Sequence, residues 1–210
     1  DSSAAAVIPG GMSDDRYATL IHPGDKFSYD IYSQVAQALR TPGANPVLGE
    51  LTAKHLIAAG ESQSAGRLMT YINAFAPIHA LYDGYFIHSR TSGSAPLQGD
   101  FLQPTLPTPP VVRVREDLGT PALMLQTETD LFVLGSYPSN QRDSVNFRLW
   151  EVAGTAHADL YTFLDNRFDI GTDPSVAAVI ENLAPVPGII ECEIPVNSGP
   201  QHFVANAAVR

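Results

Sequence analysis

The sequence predicts an α/β protein in which helices cover both faces of a mostly parallel β-sheet. Short apolar runs typical of strands alternate along the chain with longer segments whose apolar residues recur at helical spacing. This alternation is the pattern of strand–helix–strand units. The run at residues 55–60 is also almost continuously apolar, which is typical of a strand buried on both faces in a parallel sheet. Functional residues of such sheets gather at the carboxyl ends of the strands.

Composition narrows the class of protein further. The 210 residues include 22 Asp and Glu against 12 Lys and Arg, and the net charge of −10 argues against a nucleic-acid partner, which needs a basic surface. The single cysteine, Cys192, excludes an internal disulfide and a cysteine-based zinc site. No H-E-x-x-H motif or histidine cluster indicates another metal site. No apolar run approaches the roughly 20 residues that cross a bilayer, so we expect no membrane span.

The first elements are predicted from the amino-terminal fifth of the chain. Residues 1–15 are small, polar and rich in glycine, and we expect them to form a loop or a mobile terminus. Residues 17–21 are predicted to form a strand. A helix is predicted from Ser28 to a Thr-Pro-Gly stop at residues 41–43. Its apolar face is expected to consist of Ile31, Val35, Ala38 and Leu39.

The remaining elements continue the same alternation. Further strands are predicted at residues 55–60, 82–89, 122–126 and 147–152. A second helix is predicted between Ala65 and Phe75, with Pro77 as its stop. The segment 91–112 contains a stretch rich in Pro, Gln and Thr and is predicted to be an irregular excursion, long enough to form a wall or lid over a site. Residues 16–210 are expected to form a single domain.

The first candidate for chemistry is the turn G-E-S-Q-S between the strand at 55–60 and the second helix. A nucleophile elbow strains its serine, and the residues two positions before and after that serine must be small. Gly60 and Ser64 meet this condition for Ser62, although the common form G-x-S-x-G has glycine at the second position. Ser64 is the alternative nucleophile, but it would already lie in the helix. The alternative without chemistry is a serine that only caps the helix.

Two further strand ends carry an acid and a histidine. Glu128 and Asp130 follow the strand at 122–126, and a carboxylate there can orient an imidazole. Asp130 is preferred because it lies where the chain turns over the sheet edge, and Glu128 is the alternative acid. His157 follows the strand at 147–152 on a loop of small residues, from which it can accept a proton from a serine.

The order serine, acid, histidine on successive strand ends resembles the α/β-hydrolase fold. Residues 55–68, 82–90 and 153–157 resemble a poorly characterised α/β-hydrolase domain family whose elbow reads G-E-S-Q-S. The resemblance covers roughly residues 16–208 and implies Ser62 as nucleophile, His157 as base and Asp130 as the preferred acid. It also implies hydrolysis of a small-molecule carboxylic ester without a cofactor, with an amide, lactone or thioester hydrolase on the same triad as the alternative. The alternative from another class is a binding domain that kept the fold without its catalysis.

The resemblance further implies an oxyanion hole made of two backbone N–H groups. Gln63, the residue after the nucleophile, would supply one of them, and a loop ahead of Arg16 would supply the other. The first strands of the fold would also precede residues 17–21, and its last helix would begin near His202 and run past Arg210. We therefore expect a fold that is incomplete at both ends and a further polypeptide that completes the sheet. In the alternative, the turn at residues 22–25 is itself the oxyanion loop.

Overall fold

A computed structural model describes residues 21–157, apart from residues 22, 42, 44, 45 and 99–106, and also residues 200–209. Its strands are β1 (Ile57–Glu61), β2 (Gly84–His88), β3 (Ala122–Thr127) and β4 (Phe147–Val152). They form one sheet in the order β1-β2-β3-β4, in which all neighbouring strands are parallel. The predicted fold class, an α/β protein with a parallel sheet, is therefore confirmed. All four strands end at the same edge of the sheet.

Helical segments lie before, between and after the strands. They are α1 (Ser28–Arg40) with a preceding 3₁₀ turn (Asp25–Phe27), α2 (Gln63–Thr70), a π-helical turn (Tyr71–Phe75), α3 (Ala76–His79), α4 (Glu128–Phe132), a 3₁₀ turn (Tyr137–Ser139) and α5 (Pro200–Ala208). The predicted second helix does not stop at Pro77. Instead α2, the π-helical turn and α3 follow one another without a break as far as His79. Pro77 lies in the first turn of α3, where a missing N–H and a fixed φ are tolerated.

The remaining sequence predictions concern the ends of the chain and the excursion. The predicted strand at 17–21 and the terminus at 1–15 lie outside the described residues, except for Ile21, which is not in a strand. The described parts of the predicted excursion, residues 91–98 and 107–112, contain neither helix nor strand. No helix in the described part of the chain has the length and apolar character needed to cross a membrane.

The hydrophobic core lies between one face of the sheet and the helices α1 and α2. The sheet contributes buried residues that share this face: Ala58, Tyr85, Ile87, Ala122, Met124 and Phe147. The helices contribute Tyr29, Ala36, Leu68 and Met69, and the π-helical turn adds Tyr71 and Ile72. This packing fixes α2, and therefore the turn that precedes it, against the carboxyl end of β1.

Helix α1 buries a different face from the one predicted. Tyr29, Ser33 and Ala36 are buried, whereas Val35 is 50% exposed. The physical reason is aromatic packing: the Tyr29 ring stacks on Phe75 with 4.9 Å between the ring centroids. Its hydroxyl donates a hydrogen bond of 2.8 Å to the Pro96 carbonyl. A buried tyrosine removes more apolar area from water than a valine, provided that its hydroxyl finds a partner.

Strand β1 is not buried on both faces, contrary to the prediction. Ala58 and Gly60 are buried, while Ile57, Ala59 and Glu61 are exposed. Within the described residues β1 pairs only with β2, so it is an edge strand of this sheet. The alternation is hidden in the sequence because alanine and glycine are compatible with either face of a strand.

Candidate active site

The turn between β1 and α2 has the geometry of a nucleophile elbow. Ser62 joins the two elements with φ 57° and ψ −119°, a left-handed backbone conformation that is strained for a residue with a side chain. A Cβ atom on Gly60 would lie 2.7 Å from the carbonyl oxygen of Ser64, so only glycine fits there. Ser64 is the second residue of α2, as the sequence indicated. The elbow therefore presents Ser62 at the carboxyl edge of the sheet.

Gly60→Ala is expected to destabilise the protein by about 1–3 kcal/mol, because the new methyl group must push the first turn of α2 away from β1. Denaturant unfolding of the two proteins measures this difference in free energy. Gly119→Ala is the matched control, since a Cβ atom there would have no neighbour within 4 Å. Equal free energies of unfolding for the two variants would contradict the close approach at Gly60.

Ser62, His157 and Asp130 form a continuous chain of hydrogen bonds. Ser62 Oγ lies 2.8 Å from His157 Nε2, and His157 Nδ1 lies 2.6 Å from Asp130 Oδ1. The carboxylate of Asp130 is fully buried, whereas the side chain of His157 is 24% exposed. The three residues come from the ends of β1, β3 and β4, so the parallel sheet brings together groups that are far apart in sequence. This order of contacts allows a serine proton to pass to the imidazole.

Glu128, the alternative acid, makes a different contact. Its Oε2 accepts a hydrogen bond of 2.7 Å from the backbone N–H of Gly154, in the loop that carries His157. The structure thus places Asp130 against the imidazole ring and Glu128 against the main chain of the histidine loop. Of the two carboxylates, Asp130 is the one positioned to orient the ring.

The start of helix α4 fixes Asp130 in place. Thr127 is the N-cap residue, and its Oγ1 accepts a hydrogen bond of 3.3 Å from the Asp130 N–H. In return, the Thr127 N–H donates a hydrogen bond of 2.7 Å to Asp130 Oδ2. This reciprocal pair is a capping box, and it leaves Oδ1 for His157. This role was not predicted from the sequence, although the spacing T-x-x-D was the available signal.

The electrostatics of the site favour a charged acid and a basic histidine. Burial opposes ionisation of Asp130, but hydrogen bonds from His157 and Thr127 outweigh it and hold the pKa of the carboxyl below its ordinary value. The hydrogen bond with Asp130 raises the pKa of His157 above 6.5, and the negative charge of Glu61 raises it further. Glu61 was not singled out from the sequence, although it directly precedes Ser62. Asp130 is therefore ionised at neutral pH, and the imidazole is a stronger base than a free histidine.

The predicted oxyanion donors are only partly described. The N–H of Gln63 is the first of α2 and so has no acceptor within its own helix. The loop expected ahead of Arg16 lies outside the described residues. In the alternative loop at 22–25, His22 is not described, and Asp25 makes an ion pair of 2.5 Å with Arg67 of α2. This ion pair connects the end of that loop to the helix that follows Ser62.

Comparison with known proteins assigns the family. A family model described as "Alpha/beta hydrolase domain" matches residues 7–210. No curated protein and no solved structure matches the sequence. The family match spans nearly the whole chain and agrees with the parallel sheet and its strand-end site. The chain therefore belongs to the alpha/beta hydrolase domain family.

Proposed function

We propose that this protein is a serine hydrolase that cleaves carboxylic esters through an acyl-enzyme intermediate, with Ser62 as nucleophile, His157 as general base and Asp130 as its acid partner. The observation that carries the proposal is the hydrogen-bonded chain from Ser62 Oγ through His157 to the buried Asp130 carboxylate. Membership of a hydrolase domain family supports hydrolysis in general. The strained elbow at Ser62 supports a nucleophilic serine in particular.

The hydrogen bonds also support one nitrogen of His157, Nε2, as the proton acceptor. Asp130 Oδ1 has no hydrogen to donate when ionised, so His157 Nδ1 must carry the proton between them. Nε2 of the neutral ring is then unprotonated and faces Ser62 Oγ at 2.8 Å. This tautomer lets the ring act as a base toward the serine.

The reaction follows from these positions in two halves. Ser62 Oγ attacks the acyl carbon while His157 Nε2 takes its proton, and Asp130 stabilises the imidazolium that forms. The backbone N–H of Gln63 donates to the negatively charged oxygen of the tetrahedral intermediate. His157 then protonates the leaving alcohol, which departs from the acyl-enzyme. In the second half, water attacks the acyl carbon, His157 takes the water proton, and that proton returns to Ser62 as the carboxylic acid leaves.

Labelling with a fluorophosphonate followed by peptide mapping tests the proposal. The probe forms a covalent bond with an activated serine, so we expect the label on Ser62 and its loss in the Ser62→Ala variant. Turnover of a short-chain nitrophenyl ester, compared with the corresponding anilide, then tests ester cleavage itself. A label on Ser64, a label that persists in Ser62→Ala, or no label at all would contradict the assignment.

The pH dependence of kcat/KM is expected to show an acid limb with its midpoint above pH 6.5. His157 acts as a base only when neutral, and its pKa is raised by Asp130 and Glu61, so activity is lost on acidification before pH 6.5 is reached. Glu61→Gln removes one of these negative charges and should move the limb to lower pH. Glu116→Gln, an exposed carboxylate ahead of β3, should leave it unchanged. A wild-type midpoint at or below pH 6.5 would argue against His157 as the base.

A further inference from the structure

His157 is held by the first turn of α4 at two points, its ring and its main chain. Asp130 Oδ1 contacts the ring at Nδ1 over 2.6 Å. Thr129 Oγ1 accepts a hydrogen bond from the backbone N–H of His157, also over 2.6 Å. Both acceptors belong to the same helical turn, so the imidazole and the main chain that carries it are positioned by one element.

The hydroxyl of Thr129 belongs to a connected network. Since its oxygen accepts from His157, its own proton is available for Thr127 Oγ1, which lies 3.4 Å away. Thr127 Oγ1 in turn accepts from the N–H of Asp130. The backbone N–H of Thr129 contacts the carbonyl oxygen of Thr155 at 3.4 Å. Thr129 therefore links the histidine loop to the residues that fix the acid.

We propose that Thr129 is a positioning residue for His157. The inference rests on the proposed function, in which His157 is the base. The hydrogen bonds of Thr129 reach Thr127, Thr155 and the main chain of His157, and not the reacting atoms. The hydroxyl of Thr129 holds the main chain of His157 so that Nε2 reaches Ser62 while Nδ1 stays on Asp130. The Thr129 hydroxyl fixes the main chain of His157, whereas the contacts of Nδ1 with Asp130 and of Nε2 with Ser62 fix only the ring.

The contribution of Thr129 can be separated from a general role in folding. The histidine loop keeps two other contacts with this turn when the hydroxyl is removed: Glu128 with Gly154, and the Thr129 backbone with Thr155. Thr129 is only half-buried, and valine has the same shape without a hydrogen-bond acceptor. Thr129→Val is therefore expected to displace the residue that carries the imidazole while the loop remains attached.

The kinetic test compares Thr129→Val with Thr129→Ser, which keeps the acceptor. For nitrophenyl ester hydrolysis, Thr129→Val should lower kcat about 10- to 100-fold with little change in KM, because a displacement of about 1 Å in a catalytic group costs up to about 100-fold. Thr129→Ser should retain most of the activity. Thr120→Val, ahead of β3, is the matched control and should behave as wild type. Thr129→Ala gives a second variant without the acceptor, in case the valine variant does not fold.

A titration of the His157 ring by NMR provides a readout that does not depend on turnover. When the ring loses its fixed contact with Asp130, its pKa should fall toward 6.5 in Thr129→Val and stay raised in Thr129→Ser. The inference would be overturned by a Thr129→Val variant that unfolds more readily but keeps two wild-type properties. These are the ring pKa of His157 and the kcat per molecule whose Ser62 reacts with the fluorophosphonate. Absence of label on wild-type Ser62 would instead reject the proposed function. In that event the ring titration still decides whether Thr129 holds His157.

Discussion

Ser62→Ala is expected to lower kcat for a short-chain nitrophenyl ester by about 10⁶-fold, since loss of a triad nucleophile has an effect of this order. The substitution removes the Oγ atom that forms the acyl-enzyme bond in the proposed mechanism. Substrate binding and the proposed oxyanion donor at Gln63 remain and account for any residual rate. Initial rates under saturating substrate measure the change, and circular dichroism verifies that the variant keeps its fold.

Ser64→Ala is the matched control for this experiment. Ser64 is exposed and lies in α2, and the His157 ring makes its hydrogen bond with Ser62 instead. Its replacement should leave kcat close to the wild-type value, because alanine is well tolerated in a helix. The assignment of Ser62 fails if the activity is lost in Ser64→Ala and retained in Ser62→Ala.

Asp130→Asn is expected to lower kcat by up to about 10⁴-fold. Both carboxylate oxygens of Asp130 accept hydrogen bonds, one from Thr127 N–H and the other from His157 Nδ1. Asparagine has only one acceptor oxygen. If that oxygen stays on Thr127, the amide NH₂ group faces Nδ1 and favours the tautomer with its proton on Nε2. That tautomer cannot accept a proton from Ser62.

Glu128→Gln provides the comparison for the second carboxylate. Glutamine keeps an oxygen that can accept from the Gly154 N–H, so the histidine loop retains this contact. The loss in kcat should therefore be far smaller than for Asp130→Asn under identical conditions. A larger loss for Glu128→Gln would transfer the role of the acid to Glu128.

The sequence allowed prediction of the fold class and of the strand ends, because both depend on local patterns. The strand at 147–152 has the predicted bounds, and β3 differs from its prediction by one residue. The elbow at Ser62 was recognisable because a strained turn restricts its neighbours to small residues, which a sequence shows directly. Local patterns do not show which distant residues come into contact. Ser62 and His157 are 95 residues apart in sequence, and they meet only because their strands are aligned in one sheet.

Other features depended on packing that local patterns do not encode. The buried face of α1 is determined by tyrosine rings that stack on distant residues, with ring centroids about 5 Å apart in the Tyr32–Tyr82 pair. The aliphatic residues that recur at helical spacing in α1 predicted the wrong face of this helix as the buried one. The choice between Glu128 and Asp130 depended less on packing: Asp130 was preferred because it lies where the chain turns over the sheet edge. The N-cap and N3 spacing of Thr127 and Asp130 was a further local signal for it.

The capping box at Thr127 and Asp130 also has a thermodynamic consequence. One carboxylate serves both the end of a helix and the imidazole, so local unfolding of α4 and loss of the native histidine orientation are linked equilibria. This linkage is reciprocal. A ligand that binds only when Ser62 and His157 are ordered stabilises α4 against local unfolding. Ordering of α4 strengthens binding of that ligand by the same free energy. The stability of a five-residue helix is thereby coupled to the affinity of the Ser62–His157 site for such a ligand.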